Sequence, residues 1–153
     1  DVKPFDLHKL ATEIVAYLAP QALEKNIEIE LAPSPSHPIV LGNDTAIGIL
    51  IRNIVDNAIR YTPPNGEVKV AILETHNQVT LQVTDTGSGI PVELRERVFE
   101  RFFRILGTNA PGSGLGLAIV SQITNLHHAK IALSTPPNGI GLMFEVAFPK
   151  YRA

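Results

Sequence analysis

Asn53-Ile54-Val55-Asp56-Asn57-Ala58-Ile59-Arg60 lies within a stretch whose apolar residues Ile47, Leu50, Ile51, Ile54, Val55 and Ala58 recur at helical spacing. That periodicity predicts an amphipathic helix, capped by Asn43 or Asp44 and running to about Tyr61. Pro63-Pro64-Asn65-Gly66 stops it. Asn53, Asp56, Asn57 and Arg60 fall at i, i+3, i+4 and i+7, so all four share one stripe opposite the apolar face. A polar stripe is the ordinary solvated side of such a helix. Two asparagines at interior positions, however, are poor helix formers, and their presence needs a reason.

Working outward, Asp6 is a candidate N-cap for a helix from about Leu7 to Glu24, with Leu7, Leu10, Ile14, Val15 and Leu18 at helical spacing. Ile27-Glu28-Ile29-Glu30-Leu31 alternates as a half-buried strand does. After a loop carrying Pro33, Pro35 and Pro38, Ile39-Val40-Leu41 reads as a short buried or edge strand. Glu67 to Glu74 and Val79 to Thr84 read as a hairpin turning at His76-Asn77. A short helix is expected near Val92 to Phe103, and a third main helix is marked by Leu115, Ala118, Ile119, Gln122, Ile123 and Leu126. Two strands, near Lys130 to Ser134 and Leu142 to Phe148, close the chain around Pro136-Pro137-Asn138-Gly139. This order predicts an α/β two-layer sandwich: a mixed sheet of about five strands with three main helices on one face.

The other informative stretches are glycine runs. Asp85-Thr86-Gly87-Ser88-Gly89 follows a strand, and Gly112-Ser113-Gly114-Leu115-Gly116-Leu117 opens the third helix; six of the 11 glycines lie between Gly87 and Gly116. Glycine concentrates where backbone takes positive φ or approaches a ligand closely. Asp85-Gly alone is a common turn. A buried carboxylate there can also accept from the exocyclic amine of adenine, with glycines letting the base approach. The second run is either a flexible linker capping a helix or a set of N–H groups at a helix start, suited to phosphate oxygens. It is neither a Walker A loop, since no Gly-Lys-Ser/Thr follows, nor a dinucleotide fingerprint, since no strand precedes it. Ile105 to Ser113 is rich in small residues without periodicity and reads as a mobile lid. On the helix stripe, carboxamides can ligate Mg²⁺ without adding negative charge beside a triphosphate, and Arg60 can meet phosphate.

Composition narrows the classes. The 153 residues fit a single domain, and 44% hydrophobic residues rule out wholesale disorder. A net charge of −2 gives no pull toward nucleic acid or anionic membrane, and no apolar run is long enough to span a bilayer. With no cysteine there are no disulfides or thiolate metal sites. Without an initiator Met the sequence reads as an excised fragment. His8, His37, His76, His127 and His128 lack metal-ligand spacing and read as structural or surface. His127-His128 ends the third helix, where an imidazolium would complement the dipole. Arg95, Arg97 and Arg101, beside Phe99, Phe102 and Phe103, read as surface cations.

Taken in order, the motifs resemble the catalytic ATP-binding domain of sensor histidine kinases of two-component signalling, in the superfamily with gyrase, Hsp90 and MutL. Arg52 to Tyr61 is similar to the N box, Asp85 to Ile90 to the G1 box, Phe99 to Arg104 to the F box, and Gly112 to Ile119 to the G2 box. The resemblance covers nearly the whole chain. It implies a Bergerat-type fold with an ATP lid, Mg²⁺ on Asn53 and Asn57, phosphate contact from Arg60, and Tyr61 against the nucleotide. It further implies that Asp85 reads adenine in a pocket shaped by Gly87, Gly89 and Ile90, and that Phe99 anchors the lid. Arg104 would reach the γ-phosphate, and the backbone of Gly112, Gly114, Leu115, Gly116 and Leu117 would hold phosphates.

The implied activity is ATP-dependent phosphotransfer to a histidine on a separate dimerisation hairpin, with a response regulator downstream. The implied setting is the cytoplasmic part of a bacterial inner-membrane sensor. No His here has the acceptor's sequence setting, so the hairpin would be a partner. Hydrolytic relatives carry Glu at the position of Asn53 to activate water, which argues against a gyrase-type ATPase and an anti-sigma Ser/Thr kinase. Many relatives have Thr before the Phe of the last strand, assisting adenine through water. Here that position is read as Met143, which leaves a degenerate nucleotide- or partner-binding module as the rival.

Overall fold

The computed structural model describes residues 1–103 and 116–152. Strand β1 (Lys3–Asp6) leads into helix α1 (Leu7–Glu24), then β2 (Glu28–Leu31) and β3 (Ile39–Gly42). Helix α2 (Asp44–Tyr61) is followed by β4 (Glu67–Glu74) and β5 (Gln78–Asp85). Helix α3 (Gly116–Leu126), β6 (Lys130–Ser134) and β7 (Leu142–Pro149) complete the order. Five strands form one sheet in the order β2-β4-β5-β7-β6, with β2 parallel to β4 and the other pairs antiparallel. The mixed α/β sandwich expected from the element order is therefore present.

Its core follows from two periodicities. Along β5 the residues alternate, with Val79, Leu81, Val83 and Asp85 buried. On α2 the apolar stripe Ile47, Leu50, Ile51, Ile54, Val55 and Ile59 is closed to solvent. That stripe packs on β4 and β5, while α1 covers β2 and α3 covers β6. Caps fix where helices begin: Asp6 Oδ1 accepts from Lys9 N at 3.0 Å and Asn43 Oδ1 from Ala46 N at 3.0 Å. At the far end of α2, Lys25 Nζ donates to the carbonyls of Ile59 (3.0 Å) and Arg60 (2.6 Å), which have no helical partner. The chain runs helical through Pro20, which lacks the N–H for an i→i−4 bond and sits on the exposed side of α1.

Ile39-Val40-Leu41 is a short strand, as expected, and pairs antiparallel with β1 in a separate two-stranded ribbon, Phe5 opposite Val40. One local expectation is corrected. The stretch expected as a short helix is two 3₁₀ turns, Val92–Leu94 and Arg97–Phe99. Glu100 is extended (ψ 144°) and Phe102 left-handed (φ 64°), so the turns cannot propagate.

Candidate nucleotide site

The polar stripe of α2 divides on folding. Asp56 turns toward α1: its Oδ1 accepts from Gln21 Nε2 at 2.7 Å, and its Oδ2 pairs with Arg60 Nε at 3.0 Å. Asn53 faces the start of α3, where a Cβ added to Gly116 would lie 3.7 Å from its Oδ1. Leu117, in the same first turn, packs against the core. At the other end of these helices Asn43 N donates to His127 Nε2 at 3.1 Å, so α2 and α3 run in opposite senses.

Asp85 ends β5 on the core side, 7% exposed, opposite Val68 on β4 and Leu142 on β7. Its Oδ1 accepts from Gly87 N at 2.9 Å. Burial pushes its carboxyl above the ordinary aspartate value of 3.8, with the Gly87 and Leu142 N–H groups opposing in part. A buried carboxylate with so little compensation is poised to accept from a ligand donor.

Backbone approaches explain the glycines around it. A Cβ on Gly87 would lie 2.5 Å from the Tyr61 carbonyl oxygen, which places the end of α2 directly against the Asp85 loop. Gly89 (φ 73°) meets the Gly141 carbonyl, and a Cβ on Gly141 (φ 86°) would fall 1.8 Å from the Asp85 carbonyl oxygen. Three segments thus converge on Asp85: the end of α2, the loop after β5 and the start of β7. Thr86 fastens that loop to β4, its N donating to Glu67 O at 3.2 Å and its Oγ1 accepting from Glu67 N at 2.9 Å. Phe99 packs edge-on against Phe144 of β7, with centroids 6.0 Å apart, and Ile90 lies against the same core.

One reading changes. Met143 pairs with Thr84 and points to the opposite face of the sheet from Asp85, where its Sδ lies 3.6 Å from Gln82 Nε2. Strand alternation puts Leu142 on the face of Asp85 instead, so Met143 is not the residue beside it. Arg95 lies at the surface, partly exposed, and also ties two segments together: Nε donates to the Ile90 carbonyl at 3.0 Å and Nη2 to the Thr135 hydroxyl at 2.9 Å. Arg97 and Arg101 are exposed as expected. His127 is structural, as expected: its Nδ1 lies 2.8 Å from Ile123 O, and its Nε2 accepts from Asn43 N at 3.1 Å.

Asn53, Asn57, Arg60, Tyr61, Asp85, Gly87, Gly89, Ile90, Phe99, Gly116 and Leu117 all fall within the described structure. Arg104, Gly112, Gly114, Leu115 and the lid read at Ile105 to Ser113 lie outside the described residues. Sequence reasoning missed Gly141, Leu142, Gln21 and Lys25. The spacing of Gly139 and Gly141 just before a strand was the only available signal, and it is also that of an ordinary turn.

The chain belongs to the family of histidine kinase-, DNA gyrase B- and HSP90-like ATPases, whose pattern residues 42–152 match. It is 37% identical over 148 residues to the sensor protein kinase PmrB of Pseudomonas aeruginosa, covering 96% of this chain and 31% of PmrB. The chain therefore spans about a third of that relative's length. Among solved structures it superposes on the catalytic domain of histidine kinase ThkA with TM-score 0.87 at 30% identity, covering 98% of this chain and 96% of that one. Full-length ShkA in complex with AMPPNP matches with TM-score 0.85 at 29% identity, covering all of this chain and 32% of ShkA. ThkA in complex with response regulator protein TrrA matches at 0.81 and 27% identity, over 98% of this chain and 42% of that one.

Proposed function

We propose that this chain is a single catalytic domain that binds Mg²⁺·ATP and delivers the γ-phosphoryl group to a histidine on a separate helical hairpin. The observation that carries this reading is the buried Asp85 carboxylate, ringed by Gly87, Gly89 and Gly141 at backbone contact and set beside the carboxamide helix α2. Adenine would donate its amine to Asp85. Tyr61 and Ile90 would line the nucleotide, and Arg60 would meet the phosphates.

The residues fit a magnesium nucleotide. No three His, Asp or Glu side chains cluster as a metal cage among the described residues, so an ion here would rest on Asn53, Asn57 and the nucleotide's own oxygens. When bound, Mg²⁺ would neutralise triphosphate charge. Arg60, and Arg104 by its place in the motif order, would add fixed cations around the transferring group. Catalysis of this kind rests on positioning and charge neutralisation. Asn53 cannot act as a base, which favours transfer over hydrolysis. The carboxylate that activates the acceptor histidine would come from the hairpin.

The rest of the protein would supply that hairpin, a response regulator would take the phosphoryl group onward, and this domain would face the cytoplasm from a bacterial membrane sensor. No helix among the described residues is long and apolar enough to cross a membrane. The rival reading, a module that binds without transfer, drew its support from Met143, which faces away from Asp85. Incubation with γ-labelled ATP tests the proposal. Acid-labile label should appear on an added acceptor hairpin and not on this chain alone; label on the isolated chain, or none on the hairpin, would refute it.

A further inference from the structure

The C-terminal end of α1 grips α2 at two points, and both concern Arg60. Gln21 in the last turn and Lys25 at the C-cap are four residues apart and so lie on one side of the helix end. Lys25 Nζ holds the Arg60 backbone carbonyl at 2.6 Å and that of Ile59 at 3.0 Å. Gln21 Nε2 holds Asp56 Oδ1 at 2.7 Å, and the second oxygen of that carboxylate takes Arg60 Nε at 3.0 Å. Asp56 and Arg60 side chains are 21% and 35% exposed, so the pair is partly shielded from water.

We infer that Gln21 is a positioning residue that aims Arg60 at the nucleotide's phosphates through the Asp56 carboxylate. The inference rests on the reading of Arg60 as a phosphate contact. An Asp carboxylate rotates over a broad, soft χ2 profile. Alone, it can meet Arg60 in several orientations, and the guanidinium plane follows it. A donor on Oδ1 fixes the carboxylate plane and leaves Oδ2 as the acceptor for Nε. Glutamine suits this role because its amide is neutral. It orients Asp56 without drawing charge away from the ion pair, as Lys or Arg at this position would. Lys25 meanwhile fixes the backbone from which the Arg60 side chain starts. Side chain and main chain of one residue are thus anchored by a helix outside the sequence motif that contains it.

The test measures two affinities of this chain, for a non-hydrolysable ATP analogue with Mg²⁺ and for adenosine, in wild type, Gln21→Leu, Arg60→Ala and the double variant. Adenosine reports the Asp85 end only; the ratio of the two reports the phosphate end. Arg60→Ala should lower that ratio by about tenfold or more, the scale of a charge-assisted hydrogen bond. Gln21→Leu should lower it by roughly two- to fivefold with adenosine affinity and melting temperature unchanged, and should add nothing in the Arg60→Ala background. Gln21→Glu, which sets a like charge against Asp56, should lower the ratio further than Gln21→Leu.

An unchanged ratio in Gln21→Leu beside a reduced one in Arg60→Ala overturns the positioning role alone. Parallel loss of both affinities would assign Gln21 a merely structural part and equally overturn it. An unchanged ratio in Arg60→Ala would remove the phosphate reading of Arg60 and this inference with it.

Discussion

The carbonyl of Asp85 leaves no room for a side chain at residue 141. A Cβ on Gly141 would sit 1.8 Å from that oxygen and 3.0 Å from Thr86 Cα, at φ 86°. Gly141→Ala must therefore push the Asp85 loop off the start of β7, taking the carboxylate with it. The expected result is loss of at least tenfold in nucleotide affinity and about 2 kcal/mol or more of stability, by calorimetry and thermal melting. Gly139 (φ 78°) has nothing within 4 Å of a Cβ, so Gly139→Ala should cost only about 1 kcal/mol and leave affinity intact. Equal affinity losses in the two variants would refute the steric argument. Met143→Thr makes the opposite case. Because Met143 is on the far face of the sheet, the substitution should change affinity less than about twofold, within ordinary surface effects. Asp85 was legible in the sequence because a strand ended in Asp-Thr-Gly. Its neighbours were not, because which of Leu142 and Met143 faces it depends on register, and a slip of one residue exchanges the faces.

Elements with a strong period could be read closely. The expected limits of α1 match those observed, and Asn43 proves to be the cap of α2. Elements held by tertiary partners could not. β1 contains Pro4 and spans only Lys3–Asp6, so nothing local marks it as a strand; it exists because β3 pairs with it. Likewise the contacts of Arg95 could not be read, because its partners, Ile90 O and Thr135, lie on segments remote from one another in sequence. At this scale the cap of α2 carries a prediction. Asn43→Ala removes the acceptor for Ala46 N while leaving the backbone bond to His127 in place. It should cost about 1 kcal/mol and lower the melting temperature by roughly 2–4 °C in a domain of this size. No change in melting temperature would mean that packing of α2, not its cap, sets the helix start.

Across the whole molecule, fold and ligand site respond to acid through different carboxylates, and the sign differs between them. Asp85 carries a pKa raised by burial above its ordinary 3.8. Its ionised form is a penalty to the fold at neutral pH, and that penalty is relieved as pH falls through the raised value. The ionised form is also the acceptor that an adenine amine needs, so the same protonation should weaken nucleotide binding. Asp6 behaves in the opposite way. Burial pushes its carboxyl up, but the Lys9 N–H, His37 and the His8 N–H together hold it below its ordinary 3.8. Its contribution is present above the unfolded value near 3.8 and is lost only as pH falls through the lower folded value. Nucleotide affinity should therefore fall at a pH above 3.8, before Asp6 begins to withdraw its support. Calorimetric titrations and circular-dichroism melts across the acid range should give separate midpoints, with binding lost first. Asp85→Asn should remove the acid limb of the affinity profile while leaving the Asp6-linked loss of stability in place. Coincident midpoints in wild type would mean that binding is lost because the domain unfolds, and that Asp85 does not titrate as a ligand acceptor.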